Sequence, residues 1–223
     1  MRDDLPVTAV IINYRTADLF ERAISSFRQL YPKIRLLLID NGSRDGKSNS
    51  IMTQWKSRQP DHTELRFNTR NIHHGPAMDQ ALYHTTSPFL LFLDSDCEVF
   101  RGGFVELMFD CAVASPLHYA VGKRTWMDGR GFDLPTETPG AIPYIRPICL
   151  LIRRETYLTL PRARRHGAPL LKNMREATRR GYVLVDFPID EYVSHVGRGT
   201  ASRHGYKLGW KGKLNYLLHK IGI

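Results

Sequence analysis

"FLLFLDSDCEVF", residues Phe89–Phe100, poses the question on which the fold turns. Its first five residues are apolar, and they run directly into Asp94, Ser95 and Asp96, with Glu98 just beyond. A short, continuous apolar run predicts a strand buried on both faces. Three carboxylates at the mouth of such a strand need water, hydrogen-bond donors or a cation.

Upstream runs have the same texture. "VTAVIINY" (Val7–Tyr14) and "IRLLLID" (Ile34–Asp40) are continuous and rich in branched residues, and the second ends in the turn sequence "NGSRDG". Between them Leu19, Phe20, Ala23, Ile24, Phe27 and Leu30 recur at helical spacing, with Thr16 placed to cap that helix. A polar helix carrying Ile51, Met52 and Trp55 follows, then a strand at "ELRFN" and a helix in "GPAMDQALYHT" with Pro76 in its first turn. Strand and helix therefore alternate over the first hundred residues. The expected fold class is α/β, a Rossmann-like, mostly parallel sheet with helices on both faces. In such sheets ligands bind beyond the carboxyl ends of the strands, which is where Asp40, Asp94 and Asp96 fall.

Further on, Phe104, Leu107, Met108 and Cys111 suggest one face of a helix. "WMDGRGFDLPTETPGAIP" reads as a ligand-facing loop, and "IRPICLLIRRETY" as a return to a strand. A helix is expected over roughly 170–180 and a strand at "YVLVDFP". The tail, 206–223, reads as a basic amphipathic helix with Trp210, Leu214, Leu217, Leu218 and Ile221 on one stripe. That stripe either docks on its own domain or makes a peripheral membrane contact.

Composition narrows the class. With 42% hydrophobic residues in 223, the chain can bury a substantial core. No run of about 18 apolar residues suggests a membrane span. The acidic start "MRDDLPVTAV" is unlike a secretory signal, and three cysteines without metal spacing suit a reducing, cytoplasmic setting. Charge is segregated: residues 1–150 hold 17 basic and 17 acidic side chains, whereas 151–223 hold 15 and 5 and so carry the whole net charge of +10. That half either faces an anionic partner or is simply a solvated basic surface.

Asp-x-Asp after a buried strand suits a hard divalent cation, Mn²⁺ or Mg²⁺, which would leave positions open for phosphate oxygens. The same carboxylates could equally cap a following helix or stay solvated. Taken in order, "VTAVIINYRTADLFERAISS", "LLLIDNGSRDG" and "FLLFLDSD" resemble the family 2 glycosyltransferases of the GT-A fold, well over residues 7–110 and more loosely to about 205. The resemblance implies one GT-A-like domain over 1–205, with a nucleotide-sugar and metal half at 1–110 and an acceptor half at 111–205. It implies transfer of sugar from a nucleotide-diphosphate sugar, commonly a UDP-sugar, to an acceptor hydroxyl, with inversion. Asn13, Tyr14 and Arg15 would flank the nucleoside, Asp40 would hydrogen-bond the base, and Asp94 would meet the ribose or the metal. Asp96 would bind the metal. "NIHHGPAMDQAL" would close over the nucleotide, with Asp79 in place of the family's asparagine and two histidines unusual there. His195, in "SHVG", would be the third metal ligand rather than an ordinary packed histidine, and Arg198 and Arg203 would pair with diphosphate oxygens.

One family feature is missing. Where the family has an acidic pair preceding the helix that leads into Gly181-Tyr182, this chain has Pro169 and Leu170. The base that takes the acceptor proton is then His166, or Asp128 or Asp133 from the loop, or transfer is inefficient. In the last case the protein is a nucleotide-sugar or polyanion binder. An acceptor that is itself anionic (a lipid phosphate, a polysaccharide or nucleic acid) would reconcile the enzyme reading with the basic half.

Overall fold

Seven consecutive buried residues, Val7–Asn13, form the strand around which the rest assembles (β1). The computed structural model describes Arg2 and residues 4–136, 138–164 and 167–195. Along the chain β1 is followed by α1 (Ala17–Leu30), β2 (Arg35–Asp40), α2 (Gly46–Arg58), β3 (Thr63–Phe67), α3 (His74–His84) and β4 (Phe89–Asp94). Next come β5 (Cys97–Val99), α4 (Phe104–Val113), β6 (His118–Met127), β7 (Asp133–Leu134) and β8 (Ile142–Arg153). The described part closes with α5 (Arg154–Leu158), α6 (Leu171–Arg179), β9 (Val183–Asp186) and β10 (Val193–His195).

The main sheet runs β3-β2-β1-β4-β8-β6-β7, with β9 added alongside β6. β1 is parallel to β2 and β4, and β2 is parallel to β3, whereas β8 is antiparallel to both β4 and β6. The expected mostly parallel α/β sheet is therefore present, its first half wholly parallel, continued by antiparallel β8, β6 and β7 with β9 parallel to β6. Alternate residues of the same strands enter two separate cores. Ala9, Ile11, Leu38 and Leu91 pack with Phe20 and Ile24 of α1, Met52 of α2 and Met108 of α4. Val10, Ile39, Leu90 and Phe92 pack with Met78 and Leu82 of α3, Tyr157 of α5 and Met174 of α6. A strand covered on both sides must be apolar at every position, which explains the continuous runs.

Several expectations need correction. The stretch 126–143 is less open than a loop: Trp126 and Met127 end β6, β7 pairs back on them, and Ile142 begins β8. Strand β6 itself was not anticipated. Leu107 is 46% exposed, and α4 instead buries Phe104, Val105, Met108 and Ala112. Glu98 lies in β5, 3.8 Å from Arg22. Thr16 occupies the N-cap position of α1, but its hydroxyl donates to Asn13 Oδ1 instead of capping. The tail 206–223 lies outside the described residues. Among those residues, no helix is long and apolar enough to cross a membrane.

Candidate active site

Register brings the first polar residues together. Asn13 and Asp40 are neighbours at the ends of β1 and β2, and Asp94 ends β4 beside Ile12. Asn13 is fully buried, and its amide donates to Asp40 Oδ1 (3.3 Å), Ser43 Oγ (3.2 Å) and Ser48 Oγ (2.8 Å). Its Oδ1 accepts from the backbone and hydroxyl of Thr16. Asn13 thus ties β1 to the starts of α1 and α2. Asp40 also accepts from the Ser43 amide at 3.0 Å, so the carboxylate is held at the sheet edge by two donors. Tyr14 and Arg15 come next, with the Arg15 guanidinium 5.3 Å from the Tyr14 ring centre.

This edge is also where the backbone is strained. The non-glycine residues at positive φ among those described are Arg15 (58°), Arg44 (55°) and His73 (70°). Each follows the end of β1 or β2 or precedes α3, and each such conformation costs about 1–3 kcal/mol that surrounding contacts must offset. For His73 the contacts are visible. Asn41 accepts from the Ile72 amide and the Asn68 side chain and donates to Asn71 Oδ1, which in turn accepts from the His73 amide at 2.7 Å. The chain then enters α3 with His74 in its first turn, and His74 Nε2 lies 3.7 Å from Asp94 Oδ1.

The last members arrive from the far end of the described chain. β10 pairs antiparallel with β5, setting His195 opposite Cys97. His195 Nε2 thereby sits 3.1 Å from Asp96 Oδ1 and 4.0 Å from Asp94 Oδ2. Asp94 keeps about a quarter of its side-chain surface open, whereas Asp96 is nearly closed off. Burial, then the neighbouring Asp96 charge, push the Asp94 carboxyl well above the usual carboxylate range, and His195 eases it only in part. The hydrogen bond with Asp96 raises His195. Burial lowers His74 to about 4, with Asp96 opposing, so its imidazole is neutral near pH 7. Two desolvated carboxylates that resist shared ionisation, beside imidazole nitrogens, are a donor set suited to a divalent cation. Cys97 Sγ lies within the same cluster, yet burial holds its thiol protonated and it donates to the Ile148 carbonyl at 3.5 Å. A protonated thiol is a poor ligand.

The remaining expected residues divide. Asp79 is drawn into a different network: its carboxylate accepts from Tyr157 Oη at 2.6 Å and from Arg162 at 2.6–3.1 Å, joining α3 to α5 and the segment after it. Asp128 Oδ1 accepts three backbone amides, those of Arg130, Gly131 and Phe132, at 2.7–2.9 Å. Burial opposes these bonds, but together they hold its carboxyl below the ordinary range. Asp133 pairs with both oxygens on Arg146, a β8 cation close enough to lower His195 and Tyr144 electrostatically. His166, Arg198 and Arg203 lie outside the described residues. Sequence reasoning missed Arg146, which nothing in "YIRP" marks, and it treated His74 as merely unusual. Tyr144 was missed as well: its hydroxyl is buried without a hydrogen-bond partner.

Comparison with known proteins adds a family and a set of folds. The model of glycosyl transferase family 2 matches residues 8–171. A mannosyltransferase from Pyrobaculum calidifontis, solved with GDP-Man and Mn²⁺, is 20% identical with a TM-score of 0.60, covering 82% of this chain and 55% of that one. TarS 1-349 from S. aureus is 14% identical with a TM-score of 0.57, over 86% of this chain and 60% of that one. GalNAc-T7, solved with UDP, GalNAc and Mn²⁺, is 14% identical with a TM-score of 0.66, over 86% and 44%. The chain therefore spans about half the length of these structures. A search of the curated proteins found no match.

Proposed function

The chain belongs to glycosyl transferase family 2, matched over residues 8–171, and on that premise we propose that it is a metal-dependent, inverting glycosyltransferase that uses a nucleotide-diphosphate sugar. The observation that carries the reading is that His195, from a distant segment, is brought to 3.1 Å from Asp96 and 4.0 Å from Asp94 at the carboxyl edge of the sheet. Residues 1–110 form the donor half and 111–205 the acceptor half of one GT-A domain.

In this reading Asp40 hydrogen-bonds the base, and Tyr14 and Arg15 flank the nucleoside. Asp94, Asp96 and His195 hold a divalent ion. Bound there, Mn²⁺ or Mg²⁺ would offset the charge of the departing diphosphate. The acceptor oxygen attacks the anomeric carbon as the bond from that carbon to the β-phosphate oxygen breaks, and the nucleoside diphosphate leaves with the electron pair. The hydroxyl proton passes to a base. Of the two described candidates, Asp133 is favoured over Asp128, whose Oδ1 is committed to three amides; His166 remains the third candidate.

An anionic acceptor fits a cleft of about 450 Å³ lined by Arg162, Arg164, Lys172, Pro161 and Pro169. It occupies the start of α6, where the family's acidic pair is replaced. Three free cysteines accord with a reducing, cytoplasmic setting. The alternative, a binder of nucleotide sugars or polyanions without transfer, follows only if no base operates.

The test is titration calorimetry with UDP and with GDP, with and without Mn²⁺, on the wild type and on Asp96→Ala. The expected result is Mn²⁺-dependent binding of one nucleotide, weakened at least about 100-fold by the substitution. Metal-independent binding, or binding that survives Asp96→Ala, would remove the reading.

A further inference from the structure

Two residues that depart from the family pattern meet at one place. Asp79 stands where the resemblance implies an asparagine, and Pro169 where it implies a carboxylate. Asp79 is largely buried on α3, and its carboxylate accepts from Tyr157 Oη at 2.6 Å and from Arg162 Nε and Nη2 at 2.9 and 2.6 Å. The Tyr157 hydroxyl oxygen in turn accepts from the Ala163 amide at 2.9 Å, fixing the chain next to Arg162. The Arg162 guanidinium also lies 4.3 Å from the centre of the Tyr83 ring. It is thus held at one edge and one face, yet half of the side chain stays exposed, and it lines the cleft of about 450 Å³ together with Pro169.

The other walls add charge. Arg164 and Lys172 line the same cleft, and none of the described residues lining it is acidic. Lys172 lies in the first turn of α6, which carries no acidic residue, so its ammonium stands at the positive end of the helix, a poor place for a cation unless an anion is held nearby. Asn173 closes the back of the cleft by donating to the Pro161 carbonyl at 2.9 Å. A carboxylate is satisfied by one forked guanidinium, whereas a phosphate ester brings close to two charges and three acceptor oxygens that several cations can share. The small, enclosed volume suits one such group rather than a run of backbone phosphates, which a nucleic-acid site follows along a basic stripe. We infer that the cleft is the subsite for a phosphate group carried by the acceptor, and that Asp79 is a positioning residue that presents Arg162 to it. The inference rests on the proposed transfer reaction and narrows its anionic acceptor to one class, a phosphate ester or diphosphate.

The experiment is calorimetric titration of the full chain with methyl phosphate and with acetate, in saturating Mn²⁺ and UDP or GDP so that the donor edge is already filled. Methyl phosphate should bind, and acetate at least about 10-fold more weakly. Arg162→Gln and Lys172→Gln should each weaken methyl phosphate about 10-fold. Asp79→Asn separates positioning from charge. It removes a negative charge beside the cleft, so charge alone predicts tighter anion binding, whereas loss of the Arg162 anchor predicts binding about 3-fold weaker. Phosphatidylcholine vesicles with and without phosphatidic acid distinguish the source: binding that needs phosphatidic acid and is lost in Arg162→Gln means a lipid-borne phosphate, and methyl phosphate binding alone means a soluble one. The wild-type comparison needs no variant to fold. Equal affinity for acetate, no methyl phosphate binding once nucleotide is present, or preference for an oligonucleotide with a steep salt dependence overturns the subsite while leaving the donor site standing. Tighter binding in Asp79→Asn overturns the positioning role. Failure of the wild type to bind either nucleotide with Mn²⁺ removes the transfer reading, and the acceptor role with it.

Discussion

Two carboxylates of one hairpin differ in what they can do for a proton. Asp128 accepts three backbone amides through Oδ1, an arrangement that shapes the turn and lowers its basicity. Asp133 is held by a side chain instead, Arg146, and by a long contact from Thr125 Oγ1 at 3.4 Å. A guanidinium can exchange its partner without unfolding a turn, so under the proposed mechanism Asp133 would be released toward the acceptor and Arg146 toward phosphate oxygens. Asp133→Asn should therefore lower the single-turnover transfer rate about 100- to 10,000-fold with nucleotide affinity little changed. Asp128→Asn should mainly loosen the turn and affect the rate far less. Quench-flow rates beside nucleotide titrations separate the two effects. A full rate in Asp133→Asn would move the role of base to His166.

At the scale of elements, the site depends on a two-stranded sheet of three residues on each side. β10 reaches β5 because Tyr192 anchors the chain just before it: the ring packs against Phe104 and Phe187 under the Arg101 guanidinium, and its carbonyl accepts from the Phe100 and Arg101 amides. Tyr192→Ala removes that anchor and should cost about 3 kcal/mol. In a chain of this size that corresponds to a fall of roughly 6–12 °C in Tm. Because His195 is carried by β10, Mn²⁺ affinity should fall too, even well below the lowered Tm; unchanged affinity would show that β10 is held by its pairing with β5 alone. The same element marks the limit of what could be read from the amino-acid order. β1, β2 and β4 were legible because burial on both faces leaves a continuous apolar run, and with them came Asp40, Asp94 and Asp96. β5 and β10 are too short to carry any pattern and exist only by pairing across almost a hundred residues. β6 escaped notice because its second half, Lys123 to Trp126, is only partly buried or exposed, and its partners lie on three different segments. The reach of His74 to Asp94 depends on the Asn41–Asn71 bridge, a contact between two loops that neither loop's own residues announce.

At the scale of the whole molecule, the candidate site gathers β1, β2, α3, β4 and β10, elements spread from Asn13 to His195. The two cores lie on opposite faces of one sheet, with strands such as β1 and β4 contributing to both, so neither can open without disturbing the other. A ligand that needs all of these elements in place binds the folded chain alone and must report on global unfolding. At about 100 times its dissociation constant it should stabilise the fold by about 2.7 kcal/mol. For a domain of this length that is a rise of roughly 5–10 °C in Tm. The full rise should require Mn²⁺ and nucleotide together, since the carboxylates at the sheet edge repel a diphosphate until a cation lies between them. Addition of EDTA to the ternary mixture should return Tm to that of the free protein with EDTA alone. Scanning calorimetry on the full chain, with UDP or GDP and Mn²⁺ added singly and together, measures each arm. A single transition, moved little by nucleotide alone, slightly by Mn²⁺ alone and most by the pair, is the expected result. Two separate transitions, with only one responding, would mean that the donor half folds and binds independently of the half that carries His195, and the ligand set would then have to be found within residues 1–110.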